Sequence, residues 1–211
     1  MKKHAMSLFV LALGTALSAP AATIFSDDFE RPLSNTVGAG WTEVESDAAD
    51  VALVSRSSGG QQLQLRDDDP LALASQLGGF STLGYSDITL SYEWAPTNNT
   101  ESGDFLWVEW RNGSAGSWTE VAHHELIGPA AHSSASWSIS GAGGLDDFEF
   151  RLRVAVNANN EGAFVDNLSL SGTRIDAVTA VAEPGSFALA GIGLCLLAFL
   201  ARRKVGSRAV A

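Results

Sequence analysis

The chain has 211 residues, with 24 Asp and Glu against 13 Lys and Arg, for a formal net charge of −11. Setting aside both ends leaves residues 22–183 with all 24 acids and seven arginines, a net of −17. Such a surface excludes nucleic acid and anionic lipid as partners and attracts cations or basic ones. The single cysteine, Cys195, lies near the C-terminal end, so the body of the chain has no disulfide and its roughly 150 residues must rest on their own core.

At the N-terminus, Lys2 and Lys3 precede the apolar stretch Met6–Leu17, which closes on small residues with Ala19 and Ala21 at the −3 and −1 positions of an A-x-A site. A spanning helix needs about 20 apolar residues. The shorter run predicts a signal peptide over residues 1–21, cut after Ala21, and therefore export.

From Thr23 to Gly172 the dominant period is two. Ile88, Leu90, Tyr92 and Trp94 alternate with polar residues, as do Phe148, Phe150, Leu152 and Val154 with Glu149, Arg151 and Arg153. The other predicted strands are Ile24–Phe29, Trp41–Glu45, Val51–Ser55, Gln61–Arg66, Phe105–Arg111, Ser117–His123, Ser136–Ser140 and Ala163–Leu170. Turn residues fall between them: Ser58-Gly59-Gly60, Asp67-Asp68-Asp69-Pro70, Asn112-Gly113-Ser114 and Gly141-Ala142-Gly143-Gly144. About ten short strands without an intervening helix predict an all-β fold over residues 22–174, an antiparallel two-sheet β-sandwich in jelly-roll form. A closed lipocalin-like barrel is the alternative.

Several residues in this body carry possible chemistry. Asp27, Asp28 and Glu30 on the first strand and Asp166 and Asn167 on the last form a candidate calcium site if those strands are neighbours, since calcium takes six to eight hard oxygen ligands. Asp166 shares a parity with Phe164, Leu168 and Leu170, and a carboxylate on a core-facing row needs a metal, an arginine or backbone amides. Asp67, Asp68 and Asp69 lack EF-hand spacing and read as a solvated turn.

Trp107 and Trp110, three apart on one strand, point to opposite faces. The row of Phe105, Trp107, Glu109 and Arg111 is the candidate ligand face, with Trp107 stacking on a sugar and Glu109 or Arg111 hydrogen-bonding it; the alternative packs Trp107 under a loop. Catalytic signals are sparse. His123 and His124 diverge on a strand, and neither H-E-x-x-H nor G-x-S-x-G occurs. A glycan-cleaving pair, Glu93 and Glu109, is the one enzymatic alternative. The expectation is a protein that is not an enzyme.

Residues 175–182 form a linker of small residues. Beyond it come Glu183-Pro184, an apolar run and Arg202-Arg203-Lys204, with residues 205–211 as a short cytoplasmic tail. The run is apolar on every side and about 17 residues long, at the short end for a transmembrane helix, and the bases after it stop it on the cytoplasmic side. These parts in order resemble the PEP-CTERM sorting signal, over residues 183–204, with Glu183 and Pro184 as the last two motif residues and Arg202, Arg203 and Lys204 as the basic cluster. Ala182 stands where that signal has its first proline. The resemblance implies processing by an exosortase, transient membrane anchoring, and a Gram-negative cell surface or exopolysaccharide biofilm. A permanent anchor is the alternative.

Residues 25–45, 101–121 and 161–172 resemble extracellular jelly-roll domains of the concanavalin-like and carbohydrate-binding type. That resemblance implies a fold rather than a ligand. The combined expectation is an exported, non-catalytic binder of polysaccharide or another matrix component, with a purely structural surface protein as the alternative.

Overall fold

The computed structural model describes residues 20–175, apart from 39, 46, 49 and 67–72. Eleven strands fill the described residues: β1 (Ala21–Asp27), β2 (Trp41–Val44), β3 (Val51–Ser55), β4 (Gln61–Arg66), β5 (Leu73–Phe80), β6 (Tyr85–Pro96), β7 (Phe105–Asn112), β8 (Thr119–Glu125), β9 (Ser133–Ser138), β10 (Phe148–Ala155) and β11 (Gly162–Arg174). They form two antiparallel sheets. One runs β3-β4-β11-β6-β9, with β1 also on β11; the other runs β2-β5-β10-β7-β8. Each sheet ends on open edge strands, so the pair is a sandwich and the closed-barrel alternative does not form.

The sandwich follows from the alternation. Phe148, Phe150, Leu152 and Val154 on β10 are at most 1% exposed, and Ile88, Leu90 and Tyr92 on β6 meet them in one shared core. Burying each such side chain contributes about 1.5–3 kcal/mol. Aromatic rings thicken one end of this core: the Trp41 ring meets Phe150 edge-on at 5.8 Å, and Phe25 sits 5.0 Å from Phe80.

The longest strand, β11, organises the six-stranded sheet. Residues 162–165 pair with β4 and residues 168–173 with β1, while β6 lines the other side. Gly162 is required there, because a Cβ would fall 1.9 Å from the Leu65 carbonyl oxygen. At Asn167 the backbone turns to φ 50° and the register with β6 shifts between Asp166 and Ser169. The extra residue is a β-bulge, and it reverses which side chains face inward.

The predicted strands omit β5, since Gly78-Gly79 and the missing alternation hide a strand that lies between β2 and β10. The core row of β11 is Ala163 and Val165, then Leu168 and Leu170, so Asp166 lies on the opposite face from the one its parity with Leu168 predicts.

Ala21, the last residue of the expected signal peptide, is the first residue of β1, opposite Thr173. Ala19, Glu183, Pro184, Arg202, Arg203 and Lys204 lie outside the described residues, as does the acidic turn at 67–69. Among the described residues no helix is long and apolar enough to cross a membrane.

Candidate functional site

β7 is half core and half outer face. Leu106 and Val108 are fully buried inside, and Trp110 stacks on Phe148 at 5.7 Å. The alternate residues Phe105, Trp107, Glu109 and Arg111 therefore share the outer face of the five-stranded sheet, as their spacing predicts. Pairing with β10 sets Trp107 opposite Arg153, Glu109 opposite Arg151, and Arg111 opposite Glu149. Pairing with β8 sets Trp107 opposite His123.

These register positions become a ladder of charge and ring contacts. Glu109 Oε2 accepts from Arg151 Nε at 2.7 Å and from Arg153 Nε at 3.3 Å. The Arg111 guanidinium pairs with Glu149. The guanidinium carbons of Arg111 and Arg151 lie 4.3 and 4.2 Å from the Trp118 ring centroid, and that of Arg153 lies 5.2 Å from Trp107. The His123 ring is 4.9 Å from Trp107 and its Nδ1 meets Glu120 Oε1 at 2.7 Å.

Trp107 is half-buried among Phe105, His123 and Arg153, while Glu109 is 9% exposed. The face thus offers two indoles beside carboxylates and guanidinium groups whose rotamers are already held. Ion pairs of this half-buried kind lose little additional side-chain entropy when a ligand arrives. The predicted residues Trp107, Glu109 and Arg111 belong to this one face. Trp118, Arg151, Arg153 and His123 complete it; register alone brings them there, and a single sequence carries no register.

The expected calcium ligands partly converge. β1 and β11 are neighbours, and a cleft of about 390 Å³ between them is lined by Asp27, Asp28 and Asn167. Arg31 lines the same cleft and its two terminal nitrogens bind Asp27 at 2.6 and 3.0 Å, while Trp41 Nε1 donates to Asp27 at 2.7 Å and Phe29 N at 2.8 Å. Burial would raise the Asp27 carboxyl, but the hydrogen bonds from Arg31, Trp41 and Phe29 outweigh it and hold the pKa below its ordinary value. Asp28 Oδ1 accepts from Glu30 N at 3.2 Å, and Glu30 turns toward Gln61 N at 3.1 Å.

Asp166 is placed elsewhere. The bulge at Asn167 turns it to the outer face of the six-stranded sheet, where Arg56 binds both Asp166 and Glu93. Burial raises the Asp166 pKa, whereas the Arg56 hydrogen bond lowers that of Glu93. Asp27, Asp28, Glu30, Asp166 and Asn167 therefore do not fit one calcium ion as a set: two of the carboxylates already have arginine partners. Among the described residues no group of three or more His, Cys, Asp and Glu is placed to hold a metal.

The enzymatic alternative meets a similar geometric limit. Glu93 faces outward from the six-stranded sheet and Glu109 outward from the five-stranded one. Packed sheets stand about 10 Å apart before their outward side chains are added, so the two carboxylates cannot flank one glycosidic bond. His123 and His124 do diverge, the first to the outer face and the second toward Tyr92 and Trp94 inside, at 2.7 Å from the Tyr92 hydroxyl.

No protein-family profile matches the chain, and no curated protein matches it in sequence. Similar folds occur among solved structures. The CBM22-1–CBM22-2 tandem domain of Paenibacillus barcinonensis Xyn10C aligns with a TM-score of 0.54 at 15% identity, over 82% of this chain and 50% of that one. The single CBM22-1 xylan-binding domain of the same protein aligns at 0.47 and 15%, over 75% and 99% of the two chains. A family 29 carbohydrate-binding module, CBM29-2, aligns at 0.43 and 12%, over 76% and 98%. This chain spans half of the tandem, and at these identities the likeness concerns the fold alone. Several structural neighbours of this all-β, two-sheet chain are carbohydrate-binding modules.

Proposed function

We propose that this chain is an exported, non-catalytic glycan-binding protein of the cell surface or extracellular matrix, using the outer face of the five-stranded sheet. The observation that supports the reading is the ladder built on Trp107, Glu109 and Arg111, carried by a sandwich whose fold resembles carbohydrate-binding modules. A pyranose ring would lay its C–H face on Trp107, and its hydroxyls would exchange water for Glu109, Arg111 or Arg153. Because Arg151 and Arg153 share one carboxylate, the guanidinium of Arg153 keeps donors for a ligand.

The test is a glycan array probed with the full chain, then with Trp107→Ala. Truncating an indole at a binding centre costs about 2 kcal/mol or more, so binding should weaken at least about thirtyfold. Binding that survives Trp107→Ala removes this face from the proposal. No binding to any glycan leaves the second reading, a structural surface protein, which the internal pairing of Arg111 with Glu149 and Arg151 with Glu109 also accommodates.

Delivery belongs to the same proposal. The segment 183–204 would be recognised by an exosortase and the chain released near Glu183-Pro184 after transient anchoring. Intact mass of the chain expressed with and without an exosortase reads this; an unchanged mass favours a permanent anchor.

A further inference from the structure

A second cleft lies away from the proposed face, where β6 begins and β9 ends. It holds about 470 Å³, within the range of about 300–1,000 Å³ usual for small-ligand sites and enough for one or two sugar rings. Ile88 and Ile139 form its buried floor, Tyr85 and Asp87 one wall, and Ser138 and Ser140 the other.

The backbone around this cleft is built at some cost. Between Thr89 and Ser86 on β6 there are three steps, against two between Ser171 and Thr173 on β11, so β6 carries a bulge. Asp87 sits in it with φ 51°, a left-handed conformation for a residue that is not glycine. Bulges of this kind re-aim a side chain, and left-handed non-glycine residues concentrate at functional sites.

Glycines press on the bulge from two sides. A Cβ on Gly172 would fall 2.8 Å from Ile88 Cδ1 and 3.1 Å from Ser86 O, and one on Gly143 would fall 2.7 Å from Tyr85 O. The loop carrying Gly143 is pinned by buried Thr82, whose hydroxyl donates to Ala142 O at 2.6 Å. Asp87 itself is exposed; its Oδ2 accepts from Ser86 Oγ at 2.8 Å and its backbone oxygen accepts from Thr89 Oγ1 at 3.3 Å. Asp87 lines the cleft as an exposed side chain.

We infer that this cleft is a second, independent saccharide site that takes the end of a neutral glycan chain. Tyr85 supplies ring contact, Asp87 accepts a pair of hydroxyl hydrogens, and the two serines serve the remaining hydroxyls. The ligand is neutral because Asp87 and the net charge of −11 oppose an anionic sugar. It is a chain end because about 470 Å³ holds only one or two sugar rings, whereas the Trp107 face is an open sheet surface. With two sites on different sheets, one molecule would bridge two glycan chains.

Calorimetric titration of the full chain with xylohexaose and cellohexaose as probes tests this, using Asp87→Asn, Tyr85→Leu and Trp107→Ala. Asn tolerates the left-handed conformation, so Asp87→Asn keeps the bulge, and its unfolding midpoint checks that. The expected result is two sites in the parent, one of them weakened at least about tenfold by Asp87→Asn and Tyr85→Leu, the other lost in Trp107→Ala. If Asp87→Asn leaves all binding unchanged, the cleft inference falls, whether or not the Trp107 face binds. Loss of all binding in Asp87→Asn with none in Trp107→Ala upholds the cleft and overturns the face. No binding of either probe by the parent overturns both.

Discussion

His124 is a half-buried histidine at the edge of the core. It stacks on Trp94 at 4.3 Å and its Nε2 lies 2.7 Å from the Tyr92 hydroxyl. Burial, with a smaller repulsion from His123, pulls its pKa down to about 4. Between that value and the ordinary value near 6.5, the unfolded chain binds a proton that the folded chain refuses. Stability therefore rises with pH across this window and is lost as pH falls from about 6.5 toward 4, by up to roughly 3 kcal/mol. Asp27, held below its ordinary pKa, extends the loss to lower pH as it too becomes protonated. Urea unfolding at pH 7 and pH 4.5 should show the drop in the parent and a much smaller one in His124→Gln. An equal drop in both would assign the acid lability to the carboxylates instead. Neither residue's role was legible in sequence: adjacent histidines on a strand show that one must turn inward, but not that Tyr92 and Trp94 wait for it.

At the scale of the strand, periodicity was a good guide wherever a ladder is regular. β10 and β7 alternate without interruption, so their core and outer rows, including Trp107, Glu109 and Arg111, were legible from spacing alone. In β11 the bulge at Asn167 breaks the alternation, so parity alone assigns Asp166 to the wrong face. β5 was missed because strand pairing, and not its own composition, makes it a strand. The arginines of the ladder were visible as residues, yet their meeting with Trp118 depends on a hairpin register that no local pattern encodes. Close packing along β11 gives a test of that strand's central place. Gly162→Ala drives a Cβ into the Leu65 carbonyl, and neither backbone can move without breaking the β4–β11 pairing. Overpacking of this kind costs about 1–3 kcal/mol, and here the upper end is expected because the contact is backbone. Gly162→Ala should lower the urea midpoint at unchanged slope; a midpoint equal to the parent would mean that β4 and β11 separate freely.

For the molecule as a whole, the decisive quantity is the imbalance of charge. Residues 22–183 carry 24 acids and seven arginines, and at least five of those arginines are already committed to carboxylates: Arg31, Arg56, Arg111, Arg151 and Arg153. With 24 acids against seven arginines, like charges outnumber opposite ones and repel one another, which works against the compact state. Added salt acts on the two populations differently. The Debye length shrinks from about 10 Å at 0.1 M to about 3 Å at 1 M, which screens the exposed acids, while the ion pairs of the outer face are mostly buried and screened less. Self-repulsion should dominate, so raising sodium chloride from 0.05 to 0.5 M at pH 7 should raise the thermal midpoint by a few degrees, corresponding to about 1 kcal/mol. A falling midpoint would mean that the Arg–Glu ladder holds the fold against its own charge, and the face proposed for glycan binding would then be a structural brace.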